Sequence, residues 1–194
     1  MGQEWELKYR FDESRRENLL GDATVCRLVK KTETIRMESQ YFDTPEGGLS
    51  AKKQTLRLRK ENQRSVVTFK TAGDGPLRGE WEYEAEELTE AASRLAALGA
   101  PVEDIGEVVP VCGARFVRTA QRLVFGDATE AELALDEGEL FAGKCRAPLC
   151  ELELELKRGS ADTVLAFASF LENKYRLVTE PESKFVRARR LIRK

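Results

Sequence analysis

Charged and apolar residues alternate strictly along much of this sequence. The pattern is clearest in residues 4–9, 56–60, 78–85 and 151–157. Successive side chains of a β-strand point to opposite faces, so a period of two predicts strands with one charged and one apolar face. About eight such segments recur, most of them separated by short polar or glycine-containing turns. The sequence therefore predicts an antiparallel protein built from hairpins.

Three helical segments accompany the strands. Residues 89–98 are predicted to form a short amphipathic helix that Thr89 caps and Gly99 ends. A second helix should begin after Ser160 as its N-cap and run to about Tyr175, and a third should begin near Pro181. We expect one α+β domain over residues 1–194.

The apolar strand faces need a cover, and the charged faces need water or each other. An antiparallel barrel of about eight strands meets both needs, because closure removes unpaired edges and leaves room for one small ligand. Helices would then cover the outside while the charged faces line a wet lumen. The pattern also leaves open an unclosed antiparallel sheet with one solvated face. The apolar residues expected beneath the helices are Trp5, Leu7, Leu56, Leu58, Trp81 and Leu152.

The composition excludes several classes of function. Histidine is absent, which removes Ser-His and Cys-His nucleophilic pairs, histidine-ligated zinc and imidazole acid–base chemistry. The formal net charge is -2, so this is not the uniformly basic chain of a nucleic-acid binder, and any polyanion site must be local. The four cysteines form no CxxC pair and are expected to be reduced thiols.

The amino-terminal residues and the hydropathy of the sequence indicate where in the cell the protein is expected. Glu4 and Glu6 stand where a secretory signal would be basic and then apolar, and the longest apolar run is far too short to cross a bilayer. We therefore expect a cytoplasmic protein without membrane or nucleic-acid partners.

If the charged faces converge on one lumen, cations and carboxylates meet there. Basic side chains grip phosphate oxygens, and carboxylates without histidine or cysteine partners suit Mg²⁺ or Mn²⁺ rather than zinc. The mixture points to a metal–polyphosphate complex as the ligand. The basic candidates are Lys8, Arg57, Arg59, Lys70 and Arg78, with Arg118 and Lys184 as additions. The acidic candidates are Glu4, Glu6, Glu80, Asp136, Glu151 and Glu153.

A simpler interpretation is open for some of these residues. Arg57 and Arg59 also fit a solvated strand face on which Glu80 or Glu82 would pair with them across the strands. Residues 82–87 fit a solvated face in the same way. The row of glutamates at 151, 153 and 155 is harder to explain without a cation, because like charges along one strand repel each other.

The opening Glu4-x-Glu6-x-Lys8 resembles the ExExK signature of the CYTH superfamily, the triphosphate tunnel metalloenzymes. ExExK alone is a weak motif, but the resemblance continues in order through nearly the whole chain. Its further motifs are YFDTP at 41–45, LRLR at 56–59, TFK at 68–70, RGE at 78–80, Arg118, ALDEG at 134–138, CELELEL at 150–156 and Ser183-Lys184. The family fold is an antiparallel tunnel of eight strands with a charged interior and both ends accessible, so the resemblance favours the barrel.

The resemblance also implies roles for individual residues. Mg²⁺ or Mn²⁺ would be held by Glu4, Glu6, Asp136, Glu151 and Glu153. The triphosphate would be bound by Lys8, Arg57, Arg59, Lys70, Arg78, Arg118 and Lys184. Glu80 and Glu155 would have supporting roles. The catalytic set would be Glu4, Glu6, Lys8 and Glu153, with Lys8 open between a base and a phosphate ligand.

Within the family, the opening segment and residues 148–156 resemble bacterial inorganic triphosphatases. This implies metal-dependent hydrolysis of tripolyphosphate to pyrophosphate and phosphate by a monomer or homodimer. The alternatives are hydrolysis of thiamine triphosphate or another organic triphosphate, a class IV adenylate cyclase, and non-catalytic binding of polyphosphate or nucleotides. Some members carry a helical CHAD domain after the tunnel, which we do not expect in a sequence that ends at Lys194.

Overall fold

The computed structural model describes residues 2–71, 77–102 and 107–193, with only the backbone described at residues 2–4, 77, 78 and 193. In these residues one sheet contains nine strands. They are β1 Gly2–Arg10, β2 Val29–Asp43, β3 Thr55–Glu61, β4 Arg64–Lys70, β5 Leu77–Glu84, β6 Val109–Val124, β7 Glu130–Ala142, β8 Cys145–Arg158 and β9 Val178–Thr179. The helices are α1 Arg16–Leu20, α2 Ala23–Leu28, α3 Gly48–Ala51, α4 Leu88–Ala97, α5 Ala161–Tyr175 and α6 Lys184–Arg190. Two short 3₁₀ turns cover Glu13–Arg15 and Leu191–Arg193.

The strands close into a ring. Their order is β5-β4-β3-β2-β6-β7-β8-β1, and β1 pairs with β5 as well as with β8. The β1–β5 pairing runs from Gly2 opposite Glu80 to Trp5 opposite Leu77. The short β9 continues along the same edge of β1, with Thr179 opposite Tyr9. The predicted antiparallel barrel with flanking helices is confirmed, and β9 is an addition to the eight strands of the ring.

Helices cover the outer apolar faces of the strands. Val164, Phe167 and Leu171 of α5 pack on β7 and β8, and Ala91 and Leu95 of α4 pack on β3, β4 and β5. Among the predicted outer residues Leu56, Trp81 and Leu152 are buried, while Trp5, Leu7 and Leu58 are partly buried against the same clusters. Burial of one large apolar side chain contributes about 1.5–3 kcal/mol, so these two layers account for much of the cohesion of the fold.

The helix predictions are confirmed in part. Helix α5 has the predicted Ser160 cap, whose Oγ accepts from the Thr163 amide at 3.4 Å. Helix α4 begins at Leu88 and has no side-chain cap, so Thr89 is inside the helix and the predicted cap is wrong. The last helix begins at Lys184 rather than near Pro181, because Ser183 caps it by accepting from the Val186 amide at 3.2 Å.

Helix α6 occupies part of the barrel interior. Its Phe185 and Ala188 pack on inward-facing apolar side chains of β2, β6 and β7, among them Tyr41 and Phe116. The ring centroids of Tyr41 and Phe185 are 5.3 Å apart. The family resemblance implied a tunnel accessible at both ends. In this chain the inner face is apolar along one stretch, and α6 covers it.

The longest helix in the described residues, α5, has 15 residues. No helix in that part of the chain joins the length and the apolar character needed to cross a bilayer.

Candidate active site

A cavity of about 1200 Å³ lies inside the barrel, and all eight strands of the ring contribute to its wall. Most of the predicted site residues with described side chains reach this wall. They are Glu6, Lys8, Arg57, Arg59, Lys70, Glu80, Arg118, Glu153, Glu155 and Lys184. Asp136 and Glu151 are fully buried beside it. The side chains of Glu4 and Arg78 lie outside the described part of the structure.

Three carboxylates meet on neighbouring strands. Asp136 of β7 lies opposite Glu151 of β8, and Glu153 follows two residues later on the same face. One carboxylate oxygen from each lies within 4.8 Å of the others, and all three side chains are buried. Burying three like charges this close is unfavourable without cations to compensate them.

Basic side chains supply that compensation, among them Lys184 and Arg118. Lys184 Nζ, from the first turn of α6, lies 2.8 Å from Asp136 Oδ2 and 2.6 Å from Glu153 Oε1, and it also contacts Glu151. Arg118 donates to both oxygens of Asp136, at 2.7 and 2.8 Å, and to Glu153. Burial alone would lower the pKa of Lys184, but Asp136, Glu153 and Glu151 hold it well above its ordinary value.

The two glutamates of the cluster differ in their electrostatic surroundings. Burial raises the pKa of Glu151 above its ordinary value, against the attraction of Lys184. Burial acts on Glu153 in the same direction, but Lys184 and Arg118 together hold its pKa well below the ordinary value. Lys184 and Arg118 therefore favour the ionised form of Glu153, which is the form that a metal ligand needs.

A basic wall lies on β3 and β4. Arg57 Nη2 donates to Thr68 Oγ1 at 3.2 Å, and Lys70 Nζ lies 3.1 Å from Glu80 Oε1. Arg59 contacts Glu61 through Nη2, but its buried Nε has no hydrogen-bond partner among the described residues. Burial and the neighbouring Arg57 lower the pKa of Arg59. An anion in the cavity would relieve both the repulsion and the unsatisfied donor.

Charged residues of β1 lie next to the carboxylate cluster, because β1 pairs with β8. Lys8 lies opposite Glu153 in the β1–β8 pairing, and Glu6 lies opposite Glu155. Lys8 Nζ is 4.0 Å from Glu6 Oε1 and donates to the carbonyl oxygen of Glu182 at 3.5 Å. β1 thus places Lys8 beside Glu153 of the carboxylate cluster and Glu6 two residues away along the strand.

Comparison with known proteins identifies the family. The model of the CYTH domain matches residues 2–188. The chain belongs to the CYTH family. The inorganic triphosphatase of Haemophilus influenzae (strain ATCC 51907 / DSM 11121 / KW20 / Rd) is 30% identical over 150 residues, which are 74% of this chain and 42% of that protein. This CYTH chain thus spans less than half of the curated relative.

Solved structures confirm the CYTH fold. HpAC1 from Hippeastrum, described with a dominant triphosphatase activity, has a TM-score of 0.64 at 21% identity and covers 96% of this chain and 95% of its own. A protein from Pyrococcus horikoshii OT3 has a TM-score of 0.58 at 20% identity, covering 94% and 96%. At these identities the similarity concerns the fold alone.

The carboxylate cluster fits the divalent metal of CYTH enzymes. Its three convergent carboxylate oxygens form a hard donor set of the kind that Mg²⁺ and Mn²⁺ prefer. Asp136, Glu151 and Glu153 would hold the metal, while Glu6 lines the cavity without belonging to this cluster. The Lys184 ammonium already lies among the same oxygens, so a metal would have to share or displace its contacts.

Several charged residues near the CYTH site were not assigned to it from the sequence, among them Glu82, Glu61 and Arg187. Glu82, expected on a solvated face, lines the cavity 3.8 Å from Arg57 and 3.5 Å from Arg59. Burial opposes its ionisation, but Arg59 and Arg57 hold its pKa below the ordinary value. The sequence could have predicted this position, because Glu82 lies two residues after Glu80 on β5 and therefore shares its face of the strand. Glu61 also lines the cavity. Arg187 contacts Glu151, and no spacing in the sequence indicates that contact.

Proposed function

We propose that this CYTH domain hydrolyses inorganic tripolyphosphate to pyrophosphate and phosphate with Mg²⁺ or Mn²⁺. The observation that carries the proposal is the arrangement of opposite charges around one cavity. In the ring, β3 lies four strands from β8 and β4 lies four strands from β7. The basic wall of Arg57, Arg59 and Lys70 therefore faces the carboxylates of β7 and β8.

A linear triphosphate matches this arrangement. Its leaving pyrophosphate would lie against the basic wall, where the guanidinium groups of Arg57 and Arg59 neutralise the charge that develops as the phosphoanhydride bond breaks. Its terminal phosphate would lie toward Asp136, Glu151 and Glu153. A bound divalent metal supplies Lewis-acid stabilisation of the phosphoryl oxygens. Lys8 and Arg118 would orient the terminal phosphate for in-line attack by water.

The cavity lining favours an inorganic substrate over thiamine triphosphate or a nucleotide. Three aromatic residues of the described lining, Tyr41, Phe116 and Phe185, are at most 8% exposed and pack in one cluster around α6. They offer no open ring on which a base or a thiazolium could stack. The curated inorganic triphosphatase relative supports the same choice.

Phosphate release from tripolyphosphate, thiamine triphosphate, ATP and pyrophosphate, each with Mg²⁺, Mn²⁺ or EDTA, tests the proposal. We expect metal-dependent release that is fastest from tripolyphosphate.

Arg59→Met should raise the KM for tripolyphosphate by about tenfold or more, because it removes a charge-assisted phosphate contact. The matched control is Arg122→Met, since Arg122 pairs with Glu130 on the surface. Cyclic AMP formed from ATP without phosphate release would instead indicate a cyclase, and triphosphate binding without turnover a binding module.

A further inference from the structure

Arg187 of α6 contacts the carboxylate cluster through Glu151. It lies three residues after Lys184, so both side chains project from the same side of the helix. Arg187 Nη1 donates to Oε2 of Glu151, while Lys184 Nζ donates to Oε1 of the same carboxylate. Each oxygen of a fully buried carboxylate therefore has its own cationic donor from α6.

The two donors differ in their access to a ligand. Lys184 lines the cavity, whereas Arg187 is not among the residues of its wall. Arg187 Nε lies 3.8 Å from Oε2 of Glu180, a buried carboxylate that also accepts from Arg10 Nε at 2.8 Å. Arg187 is thus held by two buried carboxylates, Glu151 beside the cavity and Glu180 at its wall.

We propose that Arg187 is a positioning residue that fixes Oε2 of Glu151, so that Oε1 is presented to a divalent metal ion together with Asp136 and Glu153. The inference rests on the proposed metal-dependent function. Asp136, Glu151 and Glu153 would hold the metal, with Oε1 of Glu151 freed from its Lys184 contact and Oε2 kept by Arg187. Without Arg187, one oxygen of a buried carboxylate loses its donor and the group loses its fixed orientation.

Charge and orientation make opposite predictions for Arg187. A guanidinium close to a metal site repels the metal, so removal of its charge alone would strengthen metal binding. Loss of the hydrogen bond that orients a metal ligand instead weakens binding, commonly by about 10- to 100-fold. The direction of the change in metal affinity therefore separates the two roles.

The test is Mn²⁺ binding without substrate, followed by the electron paramagnetic resonance signal of free Mn²⁺, in wild type, Arg187→Met, Arg187→Lys and Arg10→Met. We expect Arg187→Met to raise the Kd for Mn²⁺ by about 10- to 100-fold and Arg187→Lys to give an intermediate value. Arg10→Met, which removes the other cationic partner of Glu180, should leave the Kd for Mn²⁺ unchanged. At saturating Mn²⁺ the KM of Arg187→Met for tripolyphosphate should equal that of wild type.

Unchanged or tighter Mn²⁺ binding by folded Arg187→Met overturns the inference, as does a raised KM at saturating Mn²⁺. If Arg187→Met does not fold, Arg187→Lys decides, because it keeps the charge and loses the planar fork. Normal Mn²⁺ binding by that variant also overturns the inference. A wild type that binds Mn²⁺ but does not cleave tripolyphosphate rejects the proposed function and leaves the role of Arg187 standing. A wild type that binds no Mn²⁺ rejects the role of Arg187.

Discussion

Glu153 belongs both to the buried carboxylate cluster and to the cavity wall. Its carboxylate contacts Arg118 and Lys184, and it also reaches the cavity wall. As a metal ligand under the proposed function, Glu153 would act on the reacting phosphate, whereas the basic residues of β3 and β4 would hold the substrate without the metal. Loss of Glu153 should therefore separate turnover from binding.

Glu153→Ala is expected to lower turnover of tripolyphosphate by roughly 100-fold or more while leaving most of the substrate affinity. Single-turnover kinetics and calorimetric titration with tripolyphosphate measure the two quantities. Glu153→Gln, which keeps the volume, controls for the space left by the truncation. Equal losses of turnover and affinity would show that Glu153 is not a catalytic metal ligand.

Lys184 provides a second prediction, on stability. Its replacement by Met leaves Asp136, Glu151 and Glu153 with less positive charge, and removal of one member of a buried ion pair costs about 3–5 kcal/mol. Added Mn²⁺ should restore much of this loss, because the metal binds only the folded cluster.

Thermal unfolding with and without Mn²⁺ measures this effect. We expect a larger Mn²⁺-induced rise in Tm for Lys184→Met than for wild type. Lys31→Met, which removes a surface pair with Glu33, should respond to Mn²⁺ as wild type does. Equal rises in all three proteins would contradict a shared position for the ammonium and the metal.

Helices α1, α2 and α5 are joined through Asp22. Its Oδ1 caps α2 by accepting from the amides of Thr24 and Val25, and its Oδ2 accepts from the Tyr175 hydroxyl at 2.7 Å. Lys174 pairs with the same oxygen. Burial opposes ionisation, but these donors lower the pKa of Asp22 to about 2.

The sign of the linkage follows from this shift. Because the folded-state pKa lies below the unfolded value, the stabilisation is complete above the unfolded pKa near 3.8 and disappears as the pH falls through about 2. Asp22→Asn should lower the free energy of unfolding by about 2 kcal/mol at pH 7 and by nearly nothing at pH 2. Urea denaturation across this range measures it, with Asp162→Asn on the exposed first turn of α5 as the control. A constant difference between Asp22→Asn and wild type at all pH values would contradict the assignment.

Alternation along the sequence predicted antiparallel strands with one charged and one apolar face because side-chain parity is a local property, and the family resemblance favoured the barrel over an open sheet. The alternation placed Arg57, Lys70 and Glu153 on inward faces, and the structure has them on the cavity wall. The position of α6 could not be predicted in the same way. The inner faces of β2 and β6 are apolar near Tyr41, and α6 packs on this stretch. That contact joins segments far apart in the chain, so no local pattern predicts it.

The same limit applies to the candidate site. Asp136, Glu151 and Glu153 were predicted as ligands through a family motif, and the pairing of β7 with β8 brings them together. The contact of Arg187 with Glu151 joins segments that no local pattern relates. Glu82 had the right parity, but a row of glutamates on one strand equally suits a solvated face.

The pairing of β1 has a consequence for synthesis of the chain. β1 is synthesised before its neighbours β5, β8 and β9, and seven strands lie between β1 and β9 along the chain. At the usual rate of translation its edges therefore stay without their full set of partners for on the order of ten seconds. An unpaired strand is prone to join strands of other chains, and charge on such a strand opposes that. Glu6 and Lys8, which line the cavity of the folded protein, would thus also oppose such pairing in the nascent chain.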